Sequence, residues 1–273
     1  MNGAAASPFV RVGHEDGIVT LTLSRPETLN RLTTGDQFLE LAQRIREVQA
    51  DPTARVLVIT GEGRAFCAGG DIRKMAAREG FSAGSVSEIQ QRYRQTIHQV
   101  PLALTEADIP TIAAVNGAAY GAGCDLACFC DLRVAARSAT FAVSFAQLGI
   151  VSGDGGSWIL PRLVGRSKAM ELTFTADPID AEAALRIGLV SSVVDDDALL
   201  AHAHGLARRI ARHPSDAMQM SKRLLKSSEQ MNLAGHLDLV AAFQAIAHAS
   251  PEHLAAVEAA VAGLKARNQN PPR

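Results

Sequence analysis

Short apolar runs alternate with glycine-rich segments over the first two-thirds of the chain. Two β-rich runs, 9–14 and 18–23, flank Glu15-Asp16-Gly17, which is typical of a hairpin turn. Further on, continuous apolar runs predict strands that are buried on both faces, at 56–60, 111–115 and 132–136. The recurring order is strand, glycine-rich loop and helix, so the pattern predicts an α/β fold.

Helical periodicity is clearest just after the hairpin. The spacing of five apolar positions predicts a helix over about 35–49, capped by Thr33 or Thr34; these positions are Phe38, Leu41, Ala42, Ile45 and Val48. The segment 79–87 has the composition of a mobile loop, and a second helix is predicted over about 88–107. The glycine-rich stretch 61–70 is predicted to be loop throughout.

The chain changes character after Val194, where strand-like runs cease. Four amphipathic helices are predicted, over 196–212, 215–230, 233–248 and 251–265. We therefore divide the chain into an α/β core, 1–195, and a C-terminal helical region, 196–273. The apolar faces of these helices must bury either on the core or on another subunit. Lys222 and Arg223, on the second helix, are predicted to be solvated surface charges.

Composition narrows the classes of partner. The 273 residues are 47% hydrophobic and 20% charged, which provides for a substantial core. The net charge of −1 provides no global basic field, so we expect no nucleic-acid or membrane partner. No apolar run approaches the roughly 20 residues that span a bilayer. Residues 1–7 show no secretory signal pattern, so a cytoplasmic protein is expected.

Cys67, Cys124, Cys128 and Cys130 are the four cysteines of the chain. They lack the second pair of ligands at characteristic spacing that a zinc site needs. We therefore expect buried free thiols, neither disulfides nor metal ligands.

Two glycine-rich segments are the strongest candidates for chemistry. Residues 61–72 and 116–126 each follow a predicted buried strand and lead into a helix. Small residues let a substrate approach the main chain, and a helix N-terminus presents free N–H groups. Two such loops that face each other can direct two N–H donors at one oxygen and so form an oxyanion hole. Each loop alone is equally compatible with an ordinary tight turn.

Five ordered segments resemble the successive signatures of the enoyl-CoA hydratase/isomerase (crotonase) family. They are RPETLN at 25–30, AFCAGGDI at 65–72, VNGAAYGAGCDLA at 115–127, CDLRVA at 130–135 and AEAALRIGLV at 181–190. The resemblance spans about 9–265 and implies a crotonase-like ββα spiral core with a C-terminal helical trimerisation region. It also implies an acyl-CoA thioester substrate, a homotrimer or dimer of trimers, and no metal or redox cofactor.

The resemblance assigns the oxyanion donors to the backbone N–H groups of Gly70 and Ala122. It places a further set of residues against the substrate, namely Arg25, Ala68, Asp71, Ile72, Tyr120 and Phe145. Polarising the thioester carbonyl would stabilise the enolate that forms when a proton moves or a nucleophile adds.

The acid and base residues depart from the family pattern. Hydratases of the family use two glutamates, and Asp125 occupies the first of these positions with a shorter carboxylate. Phe145 occupies the second, and a phenyl ring cannot transfer protons. Asp154 is the best substitute, since some relatives carry a functional aspartate close to this position. It is equally suited to cap a helix over 155–163, and one residue can fill both roles.

Three hypotheses for function follow from these residues. The first is a hydratase-class lyase that acts on 2-enoyl-CoA with atypical acid and base groups. The second is an isomerase or a carbon–carbon bond hydrolase that uses Asp154. The third is a CoA-binding protein without catalytic activity.

Overall fold

A computed structural model describes residues 7–269, with side chains described as far as residue 263. Residues 1–6 and 270–273, which the sequence assigns to the ends of the core and of the helical region, lie outside this range. Ten strands form in the described part: β1 (Val10–Glu15), β2 (Ile18–Leu23), β3 (Val56–Gly61), β4 (Ala65–Cys67), β5 (Thr111–Val115), β6 (Ala118–Tyr120), β7 (Leu132–Ala136), β8 (Thr140–Ala142), β9 (Ile179–Asp180) and β10 (Ser192–Val194).

These strands form two sheets. The larger sheet has the order β1-β2-β3-β5-β7-β10. The β1–β2 hairpin is antiparallel, as the turn sequence predicts, and all the other neighbours in this sheet are parallel. The smaller sheet has the order β4-β6-β8-β9 and is parallel except for its last pair. Strand β4 lies within the stretch predicted as loop, so that prediction is wrong for Ala65–Cys67, which pair with β6.

Twelve α-helices form among the same residues. They are α1 (Gly35–Ala50), α2 (Ile72–Ala76), α3 (Val86–Arg92), α4 (Gln99–Glu106), α5 (Ala122–Phe129), α6 (Gly156–Val164), α7 (Arg166–Thr175), α8 (Ala181–Arg186), α9 (Leu199–Ala211), α10 (Ser215–Ser228), α11 (Leu233–Ala249) and α12 (Pro251–Gln269). A π-helical turn, Tyr93–Ile97, lies between α3 and α4, inside what the sequence predicts as one helix.

The core lies between the larger sheet and the helices packed on it. Helix α1 buries the five apolar positions that its spacing predicts, Phe38, Leu41, Ala42, Ile45 and Val48. Helix α9 buries Leu199, Ala203 and Ala207 and contacts β2, β3, β5 and β7. The inner strands β3 and β5 are buried along almost their whole length. This support fixes the carboxyl ends of β3 and β5, where the two glycine-rich loops begin.

The four helices predicted after Val194 are present as α9 to α12. Only α9 packs into the core, whereas α10, α11 and α12 contact one another in sequence. Helix α11 has no buried residue in this single chain and exposes Leu233, Leu237 and Ile246. Part of its apolar surface is therefore left uncovered by the described part of its own chain.

Lys222 on α10 corrects one prediction from the sequence. Its side chain is buried, whereas a solvated charge was expected. The ammonium lies 2.6 Å from a carboxylate oxygen of Asp131 and donates a 2.8 Å hydrogen bond to the carbonyl of Ile109. Arg223 pairs instead with Asp108 and is exposed, as predicted. Lys222 thus anchors α10 to the segments that precede β5 and β7.

Candidate active site

The two glycine-rich loops meet main chain to main chain. They leave the neighbouring parallel strands β3 and β5, so both start from one edge of the larger sheet. A β-carbon added to Gly123 would lie 1.9 Å from the carbonyl oxygen of Cys67, so α5 approaches β4 too closely for any side chain. Gly69 has a φ of +78°, and a β-carbon there would lie 2.6 Å from the carbonyl oxygen of Tyr120.

A cleft opens where these loops meet, with an empty volume of about 630 Å³. Gly70 and Ala122 belong to its wall. The rest of the wall is mainly apolar and aromatic and includes Phe38, Phe81, Tyr93, Tyr120 and Phe145. Asp154 is the only carboxyl group of the described residues that lines this cleft.

The N–H groups of Gly70 and Ala122 both lack a backbone or side-chain acceptor within residues 7–269. Ala122 is the first residue of α5, where the turn geometry leaves the N–H free and the helix dipole is positive. Both residues border the same cleft. Two free donors at one cleft are suited to bind an oxygen atom that carries negative charge.

Six of the eight residues assigned to substrate contact lie in the cleft wall, namely Ala68, Gly70, Ile72, Tyr120, Ala122 and Phe145. Arg25 and Asp71 lie outside it. The Arg25 guanidinium donates hydrogen bonds to the carbonyls of Pro8 and Ser24, at 3.0 and 2.6 Å. The carboxylate of Asp71 caps α2 by accepting a 2.9 Å hydrogen bond from the Arg73 N–H. Both side chains are thus engaged within the fold.

The loop between β8 and α6 carries Asp154 into the cleft wall. Helix α6 begins at Gly156, and its capping residue is Gly155, with a φ of 92°. The Asp154 side chain forms no hydrogen bond to this helix, so the interpretation of Asp154 as a helix cap is wrong; the Ser152 hydroxyl instead accepts a 2.8 Å hydrogen bond from the Gly156 N–H. The Asp154 carboxyl is buried and forms no hydrogen bond with residues 7–269. It is therefore free to interact with a molecule in the cleft.

The environment of Asp154 favours its protonated form. Burial raises the pKa of Asp154 well above the ordinary value of 3.8, and the nearby charge of Asp125 raises it further. Tyr93 is a neighbour, and the pKa of its hydroxyl is raised by burial and then by the charge of Asp154. A carboxyl group whose pKa approaches the operating pH is effective both as a base and, once protonated, as an acid.

Asp125 lies on α5 behind the cleft wall and is 2% exposed. Its carboxylate accepts a 2.6 Å hydrogen bond from the Ser152 hydroxyl, which itself accepts a 2.8 Å hydrogen bond from the Gly156 N–H. Burial raises the pKa of Asp125 to about 6, although hydrogen bonds from Ser152 and Gly156 oppose that rise. Asp125 does not line the cleft, so the structure brings together only one of the two predicted acid–base carboxyls with the free N–H donors.

The sequence interpretation missed Ser152 and Tyr93. Ser152 occurs in a glycine-rich turn, where serine is common and carries no signal of its own. Tyr93 enters the cleft wall from the π-helical turn. The apolar residues around this turn have the spacing of an ordinary helix. Such turns occur often at functional sites, but no local pattern in this chain announces one.

Outside the cleft, the cysteines and the potential metal ligands were the other candidates for chemistry among the described residues. All four cysteines are buried, as expected, and none forms a disulfide within the described residues. Burial raises the pKa of Cys67 and of Cys130 to about 12. Over residues 7–269, no group of three or more potential ligands is arranged to hold a metal ion. In the same range, no helix is both long and apolar enough to cross a membrane.

The fold and the cleft define an α/β protein with a backbone-lined site for a partly apolar ligand. The family model for enoyl-CoA hydratase/isomerase matches residues 13–252, and the chain belongs to this family. The expected crotonase-like fold is thereby confirmed.

Individual relatives differ in the reaction that they are named for. The chain is 37% identical over 254 residues to the 1,2-epoxyphenylacetyl-CoA isomerase of Escherichia coli, covering 93% of this chain and 95% of the relative. It is 37% identical over 220 residues to the crotonyl-CoA hydratase of Syntrophomonas wolfei, covering 80% and 82%. The names therefore support acyl-CoA chemistry without selecting one reaction.

Solved structures agree with the fold along almost the whole chain. The enoyl-CoA hydratase of Mycobacterium smegmatis superimposes with a TM-score of 0.86 at 31% identity, covering 94% of this chain and 97% of that one. An enoyl-CoA hydratase from Bacillus anthracis has a TM-score of 0.85 at 28% identity, covering 92% and 95%.

Proposed function

We propose that this protein is an enoyl-CoA isomerase that moves a double bond along an acyl chain, with Asp154 as its single proton carrier. The observation that carries the proposal is the presence of one buried carboxyl, without a partner in the described chain, in the wall of an apolar cleft that also contains two free N–H donors. A bond shift requires one base that takes a proton from one carbon and returns it to another. Hydration requires water to be held and activated as well.

In the proposed reaction, the thioester oxygen of a 3-enoyl-CoA accepts hydrogen bonds from the N–H groups of Gly70 and Ala122. Ionised Asp154 removes a proton from C2, and the electron pair is delocalised as an enolate onto that oxygen. The protonated Asp154 then delivers the proton to C4, and the double bond moves from C3–C4 to C2–C3. The donors stabilise the charge where it develops, and no separate cofactor is required.

Phe145 disfavours hydration by two carboxylates, and by the family resemblance it also replaces the glutamate of double-bond-shifting isomerases, so a bond shift must use Asp154. It lines the cleft at the place where the family resemblance would put a second glutamate. Asp125, which matches the first glutamate, lies behind the wall. Neither residue can therefore hold a water molecule in the cleft opposite Asp154.

The test compares two substrates and two variants. Purified protein would be given 3-enoyl-CoA and 2-enoyl-CoA thioesters, with the products identified by mass spectrometry and by the absorbance of the conjugated thioester. Asp154→Asn should lower the isomerisation rate about 10²–10⁴-fold, the usual effect of removing a general acid–base group. Asp180→Asn is the matched control, since Asp180 caps α8 and Asn caps equally well. It should leave the rate unchanged.

Efficient hydration of 2-enoyl-CoA that survives Asp154→Asn would refute the proposal. It would favour the hydratase hypothesis with another acid–base group. Calorimetric binding of acyl-CoA without turnover of either substrate would favour the non-catalytic hypothesis instead.

The assembly as a trimer or a dimer of trimers remains a prediction. Its support is the apolar surface of the C-terminal helices, which exposes Leu237 and Ile246 on α11 and Leu254 on α12. Multi-angle light scattering at micromolar concentration should give three or six times the monomer mass of 28.8 kDa. A stable monomer would contradict it.

A further inference from the structure

We infer that Asp125 and Ser152 are positioning residues that act through Asp154: they hold its loop and keep an ionised carboxylate behind it, which strengthens Asp154 as a base. The inference rests on the proposed function in that Asp154 is taken as the proton carrier. It assigns Asp125 a role other than contact with the substrate.

The first support is the hydrogen-bonded link between α5 and the loop that carries Asp154. The Ser152 hydroxyl donates to Asp125 at 2.6 Å and accepts from the Gly156 N–H at 2.8 Å. One hydroxyl thus connects a carboxylate on α5 to both ends of the segment 152–156. Asp154 lies at the centre of that segment, and its own carboxyl forms none of these bonds.

A second support is the close fit of Asp125 against the start of α6. A β-carbon added to Gly156 would lie 2.1 Å from one Asp125 carboxylate oxygen. The carboxylate therefore packs directly on the first residue of this helix, where free N–H groups and the helix dipole favour negative charge. Only glycine at position 156 permits this approach.

The two carboxyls consequently have contrasting surroundings. Asp125 has hydrogen-bond donors that stabilise its ionised form, whereas Asp154 has none among the described residues. When two carboxyls interact in this way, the one that accepts more hydrogen bonds ionises first and disfavours ionisation of the other. Asp125 ionises first, and its charge keeps the proton on Asp154 until a higher pH.

Three other titratable groups lie near Asp154, namely Tyr93, Cys67 and His98. Tyr93 faces it from the π-helical turn, and Cys67 lies near it on β4, but their raised pKa values keep both neutral at physiological pH. His98 lines a surface groove that also reaches Asp154. Among the described residues, no lysine or arginine lines the cleft or either of two adjoining cavities that Asp154 borders.

The experiment measures proton binding directly and so does not depend on turnover. The protein would be labelled with isotope-enriched aspartate and its carboxyl signals followed by NMR over a pH series. The signal lost in Asp154→Asn identifies Asp154. In Asp125→Asn, which keeps the size of the side chain, the Asp154 midpoint should move to lower pH. Asp180→Asn should leave it unmoved.

Ser152→Ala provides a second variant, for which the measured group is Asp125. Without the hydroxyl, ionised Asp125 loses a hydrogen-bond donor, so the Asp125 midpoint should move to higher pH. This readout keeps the test decisive if Asp125→Asn folds poorly. An Asp154 midpoint that is the same in wild type and Asp125→Asn, or an Asp125 midpoint that Ser152→Ala leaves unmoved, would overturn the inference.

The same variants provide a kinetic readout. In Asp125→Asn, the acid limb of kcat/KM for isomerisation should move to lower pH together with the NMR midpoint. A displacement of one pH unit corresponds to about a tenfold higher relative rate at pH values below both midpoints. A uniform loss of rate at every pH, with no displacement, would show a merely structural role. Displaced NMR midpoints in a protein without isomerase activity would uphold the inference and refute the proposed function.

Discussion

Replacing Gly123 by alanine tests whether the contact between the two loops is essential to the site. The added β-carbon would lie 1.9 Å from the Cys67 carbonyl oxygen, against an ordinary contact distance of 3.4–4 Å. The neighbouring atom is backbone, which no rotamer change can move. Helix α5 must therefore shift by about 1.5 Å relative to β4.

Two effects should follow from that shift. Overpacking of a tight core typically costs about 1–3 kcal/mol, which corresponds to a melting temperature lower by roughly 2–4 °C for each kcal/mol. The Ala122 N–H starts the same helix, so it should move away from the Gly70 N–H. Misplacement of a catalytic group by about 1 Å can cost about 10²-fold in rate, and we expect a loss of kcat/KM of that order.

The assay combines thermal unfolding with steady-state isomerisation of 3-enoyl-CoA. Gly205→Ala is the matched control, because Gly205 lies inside α9 and an added β-carbon there meets no atom within 4 Å. It should raise stability by about 0.5–1 kcal/mol and leave the rate intact. Wild-type activity and stability in Gly123→Ala would refute the argument, since the two loops would then not depend on this approach.

Three further predictions concern stability and reactivity. Folding raises the pKa of Asp154. The contribution of this carboxyl to the free energy of unfolding is therefore fully present below its ordinary pKa, and it is lost as pH rises through its pKa in the folded protein. Asp154→Asn should therefore be more stable than wild type in denaturant unfolding at pH 8 but not at pH 4, and equal stability at pH 8 would contradict this. Lys222→Met should lower the free energy of unfolding by about 1.5–3 kcal/mol, because it leaves Asp131 without its charged partner. Arg223→Ala removes an exposed ion pair and should lower it by less than about 1 kcal/mol in the same denaturant assay. Cys67 and Cys130 should resist alkylation at pH 8 until the protein unfolds, because burial raises each thiol pKa to about 12. Rapid alkylation of either cysteine in the native protein, detected by mass spectrometry, would contradict this prediction.

The parts of the fold that follow local rules were predictable from the sequence. The hairpin turn at Asp16 and Gly17, the buried strands and the five core positions of α1 each follow from spacing alone. Short β4 escaped prediction because three residues inside a glycine-rich stretch pair only with a strand that is distant in sequence. The π-helical turn escaped because its side chains keep helical spacing.

At the site, the sequence identified the loops but not the roles of the carboxyls. Asp154 is suited both to cap a helix and to face a cleft, and only the position of α6 one residue later separates these roles. Lys222 was assigned to solvent because a charged residue on an amphipathic helix is usually exposed. Its burial depends on Asp131 and Ile109, which lie about ninety or more positions away in the chain.

The two free N–H groups at the cleft belong to the peptide backbone, which every amino acid except proline supplies. That half of the site consequently tolerates any side-chain substitution that preserves the path of the chain, as Ala122 illustrates. The proton-carrying half depends on the identity of individual side chains at positions 125, 145 and 154. Under the proposed function, substitution at these positions would redirect a bound thioester to a different reaction, whereas the backbone donors that polarise its carbonyl would be inherited unchanged.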